Sequence, residues 1–180
     1  PDNGYSLVAG NRIKLDLQGH AEIAERHTLV LGAETARDAI HKPASFGITN
    51  NAGYAELTSD FGNGLSNSVS LRYDGNSRYG GKPTWHVAPS FTIGQTRLKA
   101  SAGSGFKAPS LQQLFGPFGH NLLLKPETST GYDVGVEQGF LDGAASVGFT
   151  WFHNDIDNLI NYDVAFTPIN VDRARTQGVE

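Results

Sequence analysis

Two pairs of carboxylates are spaced so that both members of a pair would lie on one face of an extended segment. Asp16 is followed six residues later by Glu22, and Asp133 four residues later by Glu137. At about 3.3 Å per residue the members lie roughly 13 to 20 Å apart, too far for the paired carboxylates of a glycosidase. Both pairs therefore predict the lining of an aqueous space, and the sequence predicts no catalytic residue.

Nucleophile and phosphate motifs are equally weak. Ser104 stands between two glycines, but it lacks the spacing of a nucleophile elbow, and no helix is predicted after it. The Gly62-Asn63-Gly64 run also lacks a following helix, so it predicts a turn and not a phosphate-binding loop. The absence of cysteine excludes disulfides, thiolate nucleophiles and thiolate metal sites.

One cluster of acids and amides suggests calcium at first sight: Asn154, Asp155, Asp157 and Asn158. The cluster lacks the glycine and the closing glutamate of an EF-hand loop. In a strand the two aspartates would share one face and the two asparagines the other, which favours solvated or turn-capping roles. The six histidines include no HExxH pair, so we predict neither a metal site nor a cofactor.

Composition restricts the class of protein. The 180 residues carry a formal net charge of -4, which argues against nucleic acid as a partner because phosphate contacts need a concentrated basic surface. No run approaches the 18 apolar residues of a membrane helix. Crossing by β-strands stays possible, because its signal is alternation and not an apolar block.

Alternation with a period of two is the dominant pattern of the chain. From Arg12 to Ile23 the odd positions are apolar or small and the even positions are polar. Four further clear strands are centred on residues 69–73, 85–93, 132–136 and 147–151, and weaker ones fit near 28–40, 50–60, 97–105 and 169–180. The sequence therefore predicts an all-β protein with about nine antiparallel strands.

The predicted connections alternate in length. Short turns are expected at 25–27, 62–65, 94–96 and 141–143, and longer loops at 41–50, 75–83, 106–129 and 163–168, with a short helix at 109–115. In an up-and-down sheet this places the tight turns at one end and the loops at the other. That asymmetry is typical of transmembrane β-barrels of the bacterial outer membrane.

A soluble β-sandwich would show the same alternation, so further features must decide. Strands of about ten residues suit a tilted membrane crossing. The aromatic residues Tyr73, Trp85, Tyr132 and Trp151 lie near strand ends, where an interfacial girdle would place them. Pro89 argues the other way and predicts a bulge, because proline cannot donate to the ladder.

The densest motif is GFKAPSL at 105–111, followed by QLFG at 113–116, LKPETS at 124–129 and GVE at 135–137. A second block runs from Phe152 to Tyr162 and closes with QGVE at 177–180. Together these blocks resemble the barrel of TonB-dependent outer-membrane transporters over residues 103–180; the upstream part resembles it only in strand pattern and turn asymmetry. The residues that carry the match are Phe106, Lys107, Ala108, Pro109, Leu124, Lys125, Pro126, Glu127, Asn154, Ile156, Leu159, Ile160, Gly178, Val179 and Glu180.

The resemblance implies that residues 1–180 are part of a barrel of about 22 strands, with the plug domain and the terminal strands outside the chain. It implies an outer-membrane location, contact with the lipid bilayer, and active transport of a scarce, bulky nutrient captured by extracellular loops. Energy would come from the TonB complex through an N-terminal region. The sequences of these motifs resemble those of the vitamin B12 transporters of the family most. Cobalamin is therefore the favoured ligand, followed by ferric siderophores and then complex glycans.

Loop residues are the ligand-binding candidates, since loop tips are where binding residues concentrate. They are Arg78, Tyr79 and Lys82 in one loop and Phe115, Phe118 and His120 in another. Phe106, Leu111, Leu114 and Leu124 are expected to hold the second loop together. Two alternatives stay open: a passive or adhesin-like barrel, and a secreted carbohydrate-binding β-protein whose apolar faces would pack against a second layer.

Overall fold

The computed structural model describes residues 9–42, 45–117 and 119–180, and most of them lie in nine β-strands. The strands are β1 (Ala9–Ala24), β2 (His27–Lys42), β3 (Phe46–Gly62), β4 (Leu65–Asn76), β5 (Gly80–Ile93), β6 (Thr96–Lys107), β7 (Glu127–Phe140), β8 (Ala145–Tyr162) and β9 (Pro168–Val179). Each strand pairs antiparallel with its sequence neighbours, in the order β1 to β9. The predicted all-β, up-and-down architecture is confirmed. Within the described residues β1 and β9 pair on one side only, so the sheet is open.

The strands are longer than the sequence predicted. They run from 12 to 18 residues instead of about ten. The predicted loop at 75–83 is wrong in extent, because Asn76 pairs with Gly80 and only residues 77–79 form the turn. Backbone pairing thus continues beyond the segment in which apolar and polar residues alternate, and alternation was the only signal that the sequence offered.

The four tight turns lie at one end of the sheet, as predicted, and we call this the short-turn end. At the β3–β4 turn Asn63 and Gly64 both have positive φ, 52° and 83°, as a two-residue hairpin turn requires. The opposite end, here called the loop end, carries residues 77–79, 108–126 and 163–167. Residues 43–44 of the β2–β3 connection lie outside the described residues.

The bulge predicted at Pro89 does not form. Pro89 pairs with Asn67 in β4 without a shift of register. On the other side the ladder between β5 and β6 keeps one register but lapses between the pairs Val87–Ala102 and Ser90–Lys99. The missing N–H of proline therefore interrupts one ladder locally and does not insert an extra residue.

The two faces of the sheet differ sharply in polarity. On the face that we call outer, Ile13, Leu15 and Leu17 are 66%, 68% and 75% exposed. Phe149 is also exposed and Val69 is half-buried, and no second protein layer covers this face within the described part of the chain. The packing that a soluble sandwich needs is therefore not seen there. From Ile13 to Ile23 the apolar stripe runs about 33 Å along β1, which corresponds to a band about 25 Å tall at barrel tilt.

Towards the loop end the apolar stripe of the outer face gives way to polar residues. Tyr132 and Trp151 lie 5.7 Å apart between ring centroids, and the His153 ring stacks on Tyr132 at 4.9 Å. Beyond them, Asp155 pairs with Arg175 of β9 at 2.8 Å. Two of the four predicted girdle residues thus mark the boundary between the apolar and polar parts of the outer face.

The two aspartates of the acidic cluster at 154–158 share one face of β8, as the sequence predicted, and this is the outer face. The aspartate side chains stay in contact with solvent, as predicted, and they also form ion pairs across the β8–β9 ladder, which the sequence analysis did not predict. Asp155 pairs with Arg175, and the Asp157 carboxylate lies 3.3 Å from the Arg173 guanidinium. The sequence could not show this, because the partners are 16 to 20 residues away.

One short helix, α1 (Leu111–Phe115), follows β6. Ser110 is its N-cap: the hydroxyl accepts from the Gln113 N–H at 3.2 Å, and the Gln113 side chain accepts from the Ser110 N–H at 2.9 Å. The helix therefore begins two residues later than predicted, so Pro109 precedes the cap and does not lie in the first helical turn. No helix in the described ranges is long and apolar enough to cross a membrane.

Candidate ligand-binding site

Loop 108–126, which includes α1, folds over the inner face of the sheet and is the centre of the candidate site. Leu114 is fully buried and Leu124 nearly so, and both pack with Ile160 of β8. Leu111 is also buried and lines the neighbouring cavity. These apolar side chains hold the loop, as the sequence predicted for the leucines, because the loop carries its own small core.

The turn at 77–79 holds the loop from one side through two side chains. The Arg78 guanidinium donates to the Leu122 carbonyl at 2.7 Å. The Tyr79 hydroxyl donates to the Leu124 carbonyl at 3.2 Å. Both bonds reach main-chain oxygens, so they depend on the path of the loop and not on the identity of its side chains.

Phe115 adds an aromatic contact on the same side. Its ring stacks on Phe46, at the start of β3, with centroids 3.9 Å apart and planes inclined by 8°. The Arg78 guanidinium lies 5.7 Å from the centre of the Phe115 ring, within the range of a cation–π contact. Phe115 therefore joins the loop to both β3 and the 77–79 turn.

On its other side the loop is fixed to the start of β9. The Asn121 amide donates to the Pro168 carbonyl at 3.1 Å. Asn170 makes a reciprocal pair with Lys125, accepting from its N–H at 2.8 Å and donating to its carbonyl at 3.0 Å. The loop thus crosses the inner face between two supports.

Glu127 closes the base of the loop. It lies opposite Lys107 in the β6–β7 register, and its carboxylate lies 3.0 Å from the lysine ammonium. The same carboxylate accepts from the Ile160 N–H at 2.9 Å, and the residue is buried. Its function here is structural, because one carboxylate joins the ends of β6 and β7 to β8.

A cavity of about 710 Å³ lies between residues 108–112 and the inner faces of β1 to β4. Charged side chains of both signs line it and are paired. Arg72 contacts Asp74 at 2.8 Å and Glu34 at 3.5 Å, and Arg12 lies 3.7 Å from Asp38. Both lining arginines therefore have carboxylate partners already.

Amide side chains extend this network towards the loop end. Asn50 of β3 donates to Asp74 at 2.7 Å, and Asn76 at the end of β4 donates to Asn50 at 3.4 Å. Asp74 and Asn76 are both 7% exposed. The resulting wall offers donors and acceptors without a free excess of positive charge.

The arrangement suits recognition through hydrogen bonds. A large polar ligand could exchange its hydrogen bonds with those of the wall and contact the aromatic side of the loop. Among the described residues no group of three histidine, aspartate or glutamate side chains could hold a metal ion. The donor set thus gives no indication of a metal centre in that part of the chain.

The structure brings some of the predicted ligand-binding candidates together. Arg78, Tyr79 and Phe115 converge on the loop as described above. Lys82 lies opposite Asp74 in the β4–β5 register, on the side of the cavity. His120 is exposed, with its Nδ1 3.1 Å from the Gly116 carbonyl. Phe118 lies outside the described residues. Contact of these six residues with a ligand stays a prediction.

The residues of the family motif occupy the strand ends and the loop between them. Phe106 and Lys107 end β6, Ala108 and Pro109 begin the loop, and Leu124 to Glu127 bring the chain back into β7. The second block follows β8 and β9. Its residues are Asn154, Ile156, Leu159, Ile160, Gly178, Val179 and the C-terminal Glu180.

The cavity wall was missed at the sequence level. Its main residues come from four strands that carried no motif, and they are Arg12, Glu34, Asp38, Asn50, Arg72, Asp74 and Asn76. A signal existed, since all of them are even-numbered residues that fall on the polar side of their strands. Only the register between neighbouring strands shows that these side chains lie side by side across the sheet and line one cavity.

Comparison with known proteins gives a consistent picture. The family model described as TonB dependent receptor-like, beta-barrel matches residues 5–180. The vitamin B12 transporter BtuB of Photobacterium profundum is 37% identical over 123 residues, covering 62% of this chain and 20% of the relative. BtuB of Vibrio vulnificus is 33% identical over 141 residues, covering 73% and 22%. The chain thus spans about a fifth of the length of these curated relatives.

Solved structures agree with the fold. The siderophore receptor PirA of Pseudomonas aeruginosa superposes with a TM-score of 0.82 at 25% identity, covering 96% of this chain and 36% of the receptor. The copper transporter OprC matches with a TM-score of 0.78 at 16% identity, covering 96% and 34%. The second likeness shows the fold alone.

Proposed function

Because the chain belongs to the TonB-dependent receptor β-barrel family, whose barrels lie in the outer membrane, we propose that it forms part of an active transporter for a bulky nutrient. The observation that carries the proposal is the family match over residues 5–180. Extracellular loops at the loop end would capture the ligand, and the TonB complex would energise its passage through the barrel. The proposed activity is transport, without covalent chemistry.

Cobalamin is the favoured ligand. Two relatives named vitamin B12 transporters are 37% and 33% identical to this chain over aligned segments of 123 and 141 residues. Cobalamin carries neutral amide groups around its ring, and such groups match a wall whose amides and paired charges offer both donors and acceptors. A polyanion would instead need unpaired cations, and the two arginines of the wall are both in ion pairs.

A ferric siderophore is the second candidate. It is favoured by the likeness to the siderophore receptor PirA, at 25% identity over nearly all of this chain. Lys82 and Arg78 near the loop end could supply positive charge to an anionic iron chelate. Cobalamin would therefore make its main contacts with the cavity wall, and a ferric siderophore with the cationic side chains near the loop end.

Uptake separates the possibilities. The full-length receptor that contains this segment would be expressed in a Gram-negative host that lacks its own cobalamin receptor. We expect saturable uptake of radiolabelled cyanocobalamin that disappears in a tonB-deficient host. Uptake that is independent of TonB would support a passive barrel, and uptake of ferric enterobactin without cobalamin would support the second candidate.

Ligand contact at the loop end can be tested with matched lysines. Lys82 faces the cavity side near the loop end, and Lys99 lies on the same face of β6 near the short-turn end. We expect Lys82→Ala to weaken ligand binding to the purified receptor by about fivefold, since the lost contact is one hydrogen bond, and Lys99→Ala to leave binding unchanged. Equal effects of the two variants would argue against capture at the loop end.

A further inference from the structure

Asn76 occupies a junction between the charged wall of the cavity and the turn that holds loop 108–126. Its Oδ1 accepts from the N–H groups of Arg78 at 3.0 Å and Tyr79 at 3.1 Å. Its Nδ2 donates to Asn50, which in turn donates to Asp74. A single buried amide therefore has partners in both systems.

This amide fixes the part of the turn at residues 78–79, while the Ser77 N–H donates to the Thr49 carbonyl at 2.9 Å and holds its first residue. An asparagine that accepts from the N–H groups two and three residues ahead fixes a turn in the same way as a main-chain carbonyl. Here the two residues so fixed are Arg78 and Tyr79, whose side chains donate to the Leu122 and Leu124 carbonyls. If the turn changed shape, both donors would leave the loop together.

We propose that Asn76 is a positioning residue that holds the 77–79 turn in the one shape from which it can bind loop 108–126. Through Asn50 and Asp74 it also links the ion pairs of the cavity wall to the cover of the cavity. A group that enters the cavity and competes for Asp74 or Asn50 would loosen the loop. Only this last consequence rests on the proposed function, because it assigns the cavity to the ligand.

Two substitutions at Asn76 have different expected effects. Asn76→Ala removes both acceptors from the turn and the donor to Asn50. Asn76→Asp keeps an acceptor for the two N–H groups, since aspartate fixes such turns as well as asparagine does. We therefore expect the alanine variant to release the loop and the aspartate variant to keep it docked.

A spin label reports the state of the loop without any ligand. Leu123 is the most exposed leucine of the loop and the segment contains no cysteine, so Leu123→Cys gives a single labelling site within it. In the purified full-length receptor, we expect Asn76→Ala to raise the ratio of the mobile to the immobile component about 30-fold, the effect of the two hydrogen bonds to the loop lost together. Asn67→Ala is the matched control: it changes an asparagine of the same strand that lies near the short-turn end and on the outer face.

A double variant shows whether Asn76 acts through the turn. Arg78→Ala combined with Tyr79→Phe removes both bonds to the loop, so adding Asn76→Ala should give no further increase in mobility. A further increase of similar size, unchanged mobility in Asn76→Ala, or equal mobility in Asn67→Ala would overturn the proposal.

Heat-dependent migration in gel electrophoresis confirms in each case that the barrel is folded. Failure of cobalamin uptake would contradict the favoured ligand of the proposed function and leave this result intact.

Discussion

Removing the carboxylate of Glu127 should free the end of β8 from the base of loop 108–126. The carboxylate is buried, accepts from the Ile160 N–H at 2.9 Å, and pairs with Lys107 at 3.0 Å. A hydrogen bond to a charged group contributes about 1.5 to 3 kcal/mol. The ion pair adds at most about 0.5 kcal/mol, since the lysine side chain is largely exposed. Glu127→Ala should therefore cost about 2 to 3 kcal/mol locally.

Hydrogen exchange measures this loss where it occurs. In the full-length receptor in detergent, the Ile160 amide of Glu127→Ala should exchange about 30 to 150 times faster, the equivalent of that free energy. Glu127→Gln keeps an acceptor for the Ile160 N–H and should lose much less. Glu137→Ala, on the same strand and face, is the control. Unchanged exchange at Ile160, or an equal increase in every strand, would refute the assigned role of Glu127.

Two further predictions concern the outer face and the core of the loop. Leu17→Arg should reduce the unfolding free energy of the membrane-inserted receptor by about 2 to 4 kcal/mol, because it places a charge against lipid. Gln18→Arg, on the inner face, should change it little. Urea titration in lipid vesicles measures the unfolding free energy of both variants. Leu114→Ala should weaken the packing of the loop by about 2 to 5 kcal/mol and speed tryptic cleavage after Lys107, where the loop begins, whereas Leu123→Ala, in an exposed position, should not. Equal cleavage rates would mean that the loop is not held by its apolar core.

The alternation of side chains allowed the sheet to be predicted well. A period of two fixes which residues share a face, so nine strands, their order and the polarity of each face followed from the sequence. The ends of the strands did not follow, because β4 and β5 continue to Asn76 and Gly80 where no apolar residue marks the face. Backbone pairing does not require alternation of apolar and polar side chains. The sequence pattern therefore cannot show where pairing ends in these two strands.

Only one part of the candidate site could be predicted from the sequence. Loop 108–126 is a continuous motif, so the role of its leucines could be predicted directly, whereas the ion pair between Lys107 and Glu127 at its base was found only in the structure. The wall formed by Arg72, Asp74 and their partners comes from separate strands, and each of these residues alone resembles any solvated side chain. The placement of Arg78 and Tyr79 shows the same limit: they were chosen as loop residues, but their contacts with Leu122 and Leu124 depend on how the loop folds back.

The central physical claim is that the odd positions of β1 face lipid and its even positions face an aqueous interior. Spin labels placed one at a time at residues 13–18 of the full-length receptor in lipid vesicles test it directly. Accessibility to oxygen should peak at Ile13, Leu15 and Leu17, and accessibility to a water-soluble nickel chelate should peak at the positions between them. A profile without the period of two, or with oxygen accessibility low at the odd positions, would contradict the account.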